Sequence, residues 1–470
     1  MTARHHRWLV PAVLCMLAAR AGADSLTLGE VLAASASHFP AIQSAVAEKH
    51  AREGRSLAAE GAFDLALEQD ALLWADGYYD GMALDNRLVK PLPFANAKAF
   101  AGYRLSNDDF PVYQQERVTN GGGEFNLGVV FSLWRDRLID ERRFALANTR
   151  FEVREAELDL LLARLTTQRN AARAYWNWVA AGRQLEVYQR LVALAEQRMA
   201  GLEERASAGD VARVFVTENR QNLLRRQAIA RQAEQDLTAA AIELSLFLRD
   251  AAGTPRVPHA AELPGRFPPS ETAVGDPAAL VATVLAQRPE LDRLDVAAAA
   301  ERKRLALAEN ELMPRVDLGL KGAHDLGGGA RSRQGLDAIV DLTVSIPLET
   351  RRGRGKVAES RARLSQIELD RKLLGERLAN EVLKLGTGLN AARDFVTITA
   401  AEAEQATLLE QAERDRFAAG ASDFFLVNLR EERTADALIR NLGSRLRYFH
   451  ALADLQAITL DLEALALAAP

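Results

Sequence analysis

The 470-residue chain balances 59 lysines and arginines against 64 aspartates and glutamates, a formal net charge of −5, with 48% of its residues apolar. Such mild acidity leaves no basic footprint for nucleic acid. The single cysteine, Cys15, falls in an N-terminal apolar run. Once that run is removed, disulfides, thiolate metal sites and cysteine nucleophiles are excluded.

Residues 1–23 read as a secretory signal. Arg4 and Arg7 precede the apolar run Trp8–Ala19, and Ala21-Gly22-Ala23 offers small residues for cleavage. Leu14, before Cys15, is not the small residue of a lipoprotein processing site. No later stretch reaches the roughly 18 uncharged apolar residues that a membrane-spanning helix needs. An exported chain without a second helical anchor is expected: periplasmic, secreted, or crossing an outer membrane by strands. His38, His50, His259, His324 and His450 have no second His or Cys at ligand spacing, so no metal or cofactor is expected.

The first repeat is placed at 24–250. Phe39-Pro40-Ala41-Ile42 opens a helix. Phe63, Leu65 and Leu67 then alternate with Asp64, Ala66 and Glu68. A long segment, Ala75–Gly122, follows; within it Ala97–Leu105 is either the first true barrel strand or an additional one. In Glu124–Trp134 the residues Phe125, Leu127, Val129, Phe131 and Leu133 alternate with smaller or polar ones. Period-two runs of about ten residues suit a transmembrane β-strand, and equally a half-buried soluble sheet. Trp74 and Trp134 fit an aromatic girdle at a membrane interface, or ordinary core tryptophans.

No proline occurs from Val112 to Thr254 or from Leu348 to Ala469, whereas five of the 15 fall between Pro255 and Pro269. Proline breaks helix interiors, so the two Pro-free tracts, rich in Ala, Leu, Glu, Arg and Gln, are predicted to be helical. Leu158, Leu162, Leu165, Ala172, Tyr175 and Val179 repeat with the 3–4 rhythm of packed, coiled-coil-like helices. Each tract is interrupted once near a glycine, at 206–211 and at 418–423. Glycine permits a tight reversal, and Asp210 and Asp423 can each cap the returning helix. Each tract is therefore a hairpin, whose first ascending arm, about Asp136 to Arg205, would run roughly 105 Å. A compact domain has no use for that length.

After a Pro-rich joint at 251–277, the second repeat is placed at 278–466. Arg288-Pro289-Glu290-Leu291 opens a helix, Val316, Leu318 and Leu320 alternate, and so do Leu336, Ala338, Val340, Leu342, Val344 and Ile346. Gly121-Gly122-Gly123 and Gly327-Gly328-Gly329 read as turns between strands, since no helix start follows either directly. The two halves thus match in order: helix, strand pair, basic residues, long helical hairpin. Two strands per repeat would make a four-stranded sheet with two open edges. Such a sheet cannot sit in lipid until further copies close it. Three copies would give twelve strands and a ring of paired helices.

This order of elements resembles the TolC-like outer-membrane efflux protein family, and the likeness covers nearly all of the chain after the signal. It is carried by the helices started at Pro40 and Pro289, the two glycine tips, and the run Asp423-Phe424-Phe425-Leu426-Val427-Asn428-Leu429. The resemblance implies a mainly α fold with a β-barrel part. It implies a homotrimer whose twelve-stranded outer-membrane barrel is continued by a periplasmic α-helical tunnel. It also implies a periplasmic adaptor and an inner-membrane transporter as partners, with outer-membrane lipid around the barrel. Ala208, Gly209, Asp210 and Val211, with Ala419, Gly420, Ala421 and Ser422, would then be the adaptor contacts; as sequence, they are fully explained as tight turns. The family often places acids after the second tip, where this chain has only Asp423 and Asn428 as tunnel-entrance candidates. Asp423 also fits a plain helix cap.

The expected function is a passive conduit from periplasm to exterior in a tripartite efflux or type I secretion system of a Gram-negative cell. The alternative is a periplasmic coiled-coil structural or adaptor protein outside the membrane, which explains the helices but not the paired strands. No Ser-His-Asp arrangement, phosphate loop or metal cluster points to an enzyme.

Overall fold

The computed structural model describes residues 25–75, 79–107 and 110–467; the expected signal at 1–23 lies outside the described residues. Helix α1 (Leu28–His38) and helix α2 (Pro40–Glu60) are separated at Phe39, whose extended backbone (φ −73°, ψ 125°) is the conformation a following proline imposes. The second half repeats the device. Helix α5 (Pro277–Gln287) and helix α6 (Pro289–Asn310) are separated at Arg288, with φ −70° and ψ 122°. Proline opens α2, α5 and α6, a position where its missing N–H costs nothing.

The Pro-free tracts form helix α3 (Glu141–Ser207) followed by α4 (Arg213–Ser245), and helix α7 (Arg351–Ala418) followed by α8 (Phe424–Ile458). Helix α3 starts later than the Asp136 expected from sequence. Asp136 has a φ of 68°, outside the helical range, and Asp140 instead accepts from the N–H groups of Arg142 (2.9 Å) and Arg143 (3.0 Å). Along α3, Leu158, Leu165, Ala172 and Val179 are buried at seven-residue intervals; along α7, Val382, Leu389, Val396 and Ala403 are. A seven-residue repeat holds one seam of a helix toward its partner over many turns. No helix of the described residues is long and apolar enough to cross a membrane.

Among the described residues, six strands form one antiparallel sheet in chain order: β1 (Ala66–Leu73), β2 (Met82–Pro91), β3 (Lys98–Asn107), β4 (Glu124–Ser132), β5 (Arg315–Asp325) and β6 (Leu336–Ser345). The strand count left open in the first half therefore comes to four, the strand at Ala97–Leu105 being an additional one, β3. The sheet thus has six strands where two per repeat would make four. The extra pair is the hairpin β2–β3, folded from the long segment Ala75–Gly122 that the second half lacks. Its period-two signal is blurred because Asn86 and Lys90 interrupt the row of Leu84 and Leu88. Ala95 and Asn96, both at φ 48°, make its tight reversal. Strand β1 also begins later than expected, because Gly61–Phe63 closes a 3-10 turn. The halves meet in register across β4 and β5, with Phe131 opposite Leu318 and Leu127 opposite Gly322.

The chain forms two units. In the first (Met1–Ser37, Asn170–Thr272, Ala392–His450), the Trp176 ring stacks on Phe449 at 4.2 Å and on Phe267 at 5.7 Å between centroids. Tyr175 donates its hydroxyl to the Leu26 carbonyl at 2.9 Å, and Tyr448 donates to that of Thr272 at 3.2 Å. These contacts tie the segment after α4 and the N-terminal residues to the helices. The second unit (His38–Arg169, Ala273–Ala391, Ala451–Pro470) holds the sheet and a core of Leu165, Ala457 and Leu465. There Arg288 donates to the carbonyls of Ala457 (3.0 Å) and Ile458 (3.1 Å), which end α8.

Candidate functional site

Side chains alternate across a strand, so the register assigns each residue of the sheet to one of two faces. On one face Leu127 of β4 is followed across the register by Gly322 of β5 and Ala338 of β6, and Val129 by Leu320 and Val340. In the other direction the same face runs through Ala101 of β3 and Leu88 of β2 to Leu67 of β1. This apolar face is bare: Leu67 is 70%, Leu127 68% and Val340 69% exposed. Gln69 and Asn86 interrupt it, and they satisfy one another, the Gln69 amide donating to the Asn86 oxygen at 2.7 Å.

The opposite face is charged. Glu68, Arg87, Arg104, Glu124, Lys321 and Asp337, one from each strand in order, line a single hollow of about 830 Å³, so the sheet curves around it. Arg104 is held by Asp85 at 2.7 Å and reaches Glu124 at 4.0 Å, while Lys321 lies 3.4 Å from Glu124. An ordinary one-sided sheet buries its apolar face and shows water its polar one. Here the polarity is reversed. That is the requirement of a wall with lipid outside and water inside.

Trp134, 59% exposed, follows β4, and Trp74, half-buried with its indole N–H donating to Gln114 at 3.3 Å, follows β1. Since β1 and β4 run in opposite directions, the two tryptophans mark opposite rims of the sheet.

In the other unit, the two helix reversals share one hydrogen-bond pattern. Gly209 donates to Ala206 (3.3 Å) and Asp210 to Arg205 (2.9 Å); Gly420 donates to Phe417 (3.0 Å) and Ala421 to Arg416 (2.8 Å). This is a left-handed glycine stop, and both glycines have positive φ, 84° and 76°. Ala208, Gly209, Asp210, Ala419, Gly420 and Ala421 are exposed, while Val211 and Ser422 are half-buried. Ser422 donates its hydroxyl to Glu413. Asp423 caps α8, accepting from the Leu426 N–H at 2.8 Å. Asp210, expected to cap the first returning helix, does not. Helix α4 begins at Arg213, with Ala212 in the capping position. Asn428 is buried, and its oxygen accepts from Arg198.

Behind the tips lies a buried ionic node that the sequence reading missed. Glu431 of α8, 1% exposed, accepts from Arg226 of α4 at 2.9 Å, from Arg414 of α7 at 3.2 Å and from Arg198 of α3. It joins all four long helices. The signal was present: Arg226 lies seven residues from both Asn219 and Ala233, and Glu431 falls four residues after Val427 and three before Thr434. A charge at a core position of a helical seam has to find buried partners.

No family model and no curated protein sequence matches the chain. Solved structures do match. The outer membrane protein VceC of Vibrio cholerae aligns over 92% of this chain and 95% of its own, with 15% identity and a TM-score of 0.63. The CmeC outer membrane channel of Campylobacter jejuni aligns over 98% of this chain and 93% of its own, with 12% identity and a TM-score of 0.62. The open state of the Neisseria gonorrhoeae MtrE outer membrane channel aligns over 92% and 88%, with 13% identity and a TM-score of 0.63. The fold is that of the TolC-like outer-membrane channels.

Proposed function

We propose that this chain is the outer-membrane channel of a tripartite efflux or type I secretion system, a passive conduit from periplasm to exterior. The observation that carries the reading is the reversed polarity of the sheet, with Leu67, Leu127 and Val340 bare on one face and a charged hollow on the other. A sheet with two open edges leaves backbone donors and acceptors unpaired, which lipid does not tolerate. Three copies would close the sheets into a barrel and the hairpins into a tunnel. Trp74 and Trp134 would then sit at the two membrane interfaces, where amphipathic rings are favoured.

In this reading the exposed tips around Gly209 and Gly420 are contacts for a periplasmic adaptor, which couples the channel to an inner-membrane transporter. The reading draws on the shared fold and on the exposure of six of the eight tip residues. The test is reconstitution of the purified chain in planar lipid bilayers. Discrete, voltage-stable current steps are expected. A protein that stays in solution and adds no conductance would favour the periplasmic coiled-coil alternative.

A further inference from the structure

We infer that the wall of the assembled channel contains eighteen strands, six from each of three copies, with the hairpin β2–β3 built into the lipid-facing wall and neighbouring copies joined edge to edge between β1 and β6. The inference rests on the channel reading above, and concerns the barrel that such a channel forms.

The hairpin occupies the place of a loop. In the second half β5 is joined to β6 by a short connection, whereas in the first half β1 and β4 are separated by β2 and β3. A strand hairpin in an exterior loop would be free of the sheet's register. This one is not. Strands β2 and β3 pair residue for residue with β1 and β4, β2 over eight of its 10 residues, from Ala66 opposite Val89 to Leu73 opposite Met82, and β3 over seven of its 10, from Lys98 opposite Val130 to Arg104 opposite Glu124.

The alternation of faces also passes through the hairpin without a change of phase. Leu88 and Ala101 stand between Leu67 and Leu127 on the bare face; Arg87, Asp85 and Arg104 stand between Glu68 and Glu124 on the charged one. A slip of one residue would send every side chain to the wrong face, so unbroken phase marks one continuous wall. Lengths agree: β2 and β3 have 10 residues each, enough to cross at the usual tilt. The connection between them, Leu92–Ala97, lies beside the end of β4, with Ser132 donating to Ala95 at 2.8 Å. It is a short turn on the helix side of the sheet, as barrel proteins make on their periplasmic side.

An even number of strands per chain makes β1 and β6 antiparallel, so a second copy continues the ladder by the same rule as every internal pair. Both edge strands carry the same outward row, Leu67, Ala71 and Leu73 on β1 and Leu336, Val340 and Leu342 on β6. The rows facing the lumen at that joint, Glu68 and Asp70 beside Asp337 and Asp341, are acidic. Water in the lumen screens them, and each joint lays an acidic stripe along the wall. Barrel diameter grows about linearly with strand number, so the ring would be about half again as wide as one of twelve strands.

Single cysteines replace Leu88→Cys, Ala101→Cys, Leu127→Cys and Thr343→Cys in the full chain, whose only native cysteine is Cys15. Each carries a fluorophore in proteoliposomes containing acyl-chain-brominated lipid. Quenching at 88 and 101 equal to that at 127, with none at the lumen-facing 343, is expected. Quenching at 127 with 88 and 101 spared would put the hairpin in water and overturn the inference, leaving the channel reading intact. No quenching at 127 would defeat the channel reading, and the inference with it. Strand counting in cryo-electron images of the unmodified trimer provides a second measurement: eighteen supports the inference and twelve overturns it.

Discussion

Arg226 of α4 donates to the carboxylate of Glu431 of α8 at 2.9 Å, and both side chains are buried to within 2% of complete. Arg198 and Arg414 complete the arrangement, so one glutamate binds the first helical hairpin to the second. Removing one partner of a buried pair leaves the other charge without compensation, at a cost of about 3–5 kcal/mol. Glu431→Ala is expected to lower the denaturant midpoint accordingly. Replacing Glu431 and Arg226 together by apolar residues should restore part of the loss.

The tips are held by backbone geometry. At Gly209 and Gly420 a Cβ would meet nothing within 4 Å among the described residues, so Gly→Ala adds no clash. Its cost is the left-handed backbone, about 1–2 kcal/mol per position. Hydrogen exchange at the neighbouring amides of Asp210 and Ala421 should quicken in Gly209→Ala and Gly420→Ala, and less in the corresponding asparagine variants.

Helix α1 opens on a reciprocal cap. Glu30 accepts from the Thr27 N–H at 2.8 Å, and Thr27 accepts from the Glu30 N–H at 3.3 Å. The Thr27 backbone bond, and then its hydroxyl, hold the Glu30 carboxyl below its ordinary 4.5. A lowered carboxylate stabilises above its unfolded value and ceases to do so as pH falls through the folded one. Amide protection in α1 should therefore drop below pH 4.5 in the native chain. Thr27→Ala should remove about 1 kcal/mol at neutral pH and weaken that acid dependence without abolishing it, since the backbone N–H at 27 remains.

Tyr175 gives the opposite pH window. Burial pushes its hydroxyl from 10.0 up to about 12. The folded state thus favours the protonated phenol, an advantage intact below pH 10 and lost as pH rises toward 12. Thermal unfolding across this range should show a decline in stability that Tyr175→Phe makes shallower, although the variant is less stable at neutral pH through the unsatisfied Leu26 carbonyl.

How much of this was legible in the sequence depended on how local its cause is. Proline placement and the glycines at 209 and 420 act within a turn, so the long helices and their reversals could be read directly. The alternation of β4, β5 and β6 was equally plain. Of the hairpin β2–β3, the strand at Ala97–Leu105 was legible and is β3, but β2 was not, because Asn86 on its outer face has its partner, Gln69, on another strand. Asp210 misled because nothing local shows that Val211 and Ala212 intervene before α4 begins. Glu431 looked like one more acid on a charged helix. Its burial depends on three arginines that are distant in sequence.

The central claim is that the bare face of the sheet meets lipid in an outer membrane. Density-gradient separation of cell envelopes expressing the full chain, with chemical crosslinking before electrophoresis, tests it most directly. The account predicts heat-resistant trimers in the outer-membrane fraction. Monomers recovered in the soluble periplasm would contradict it.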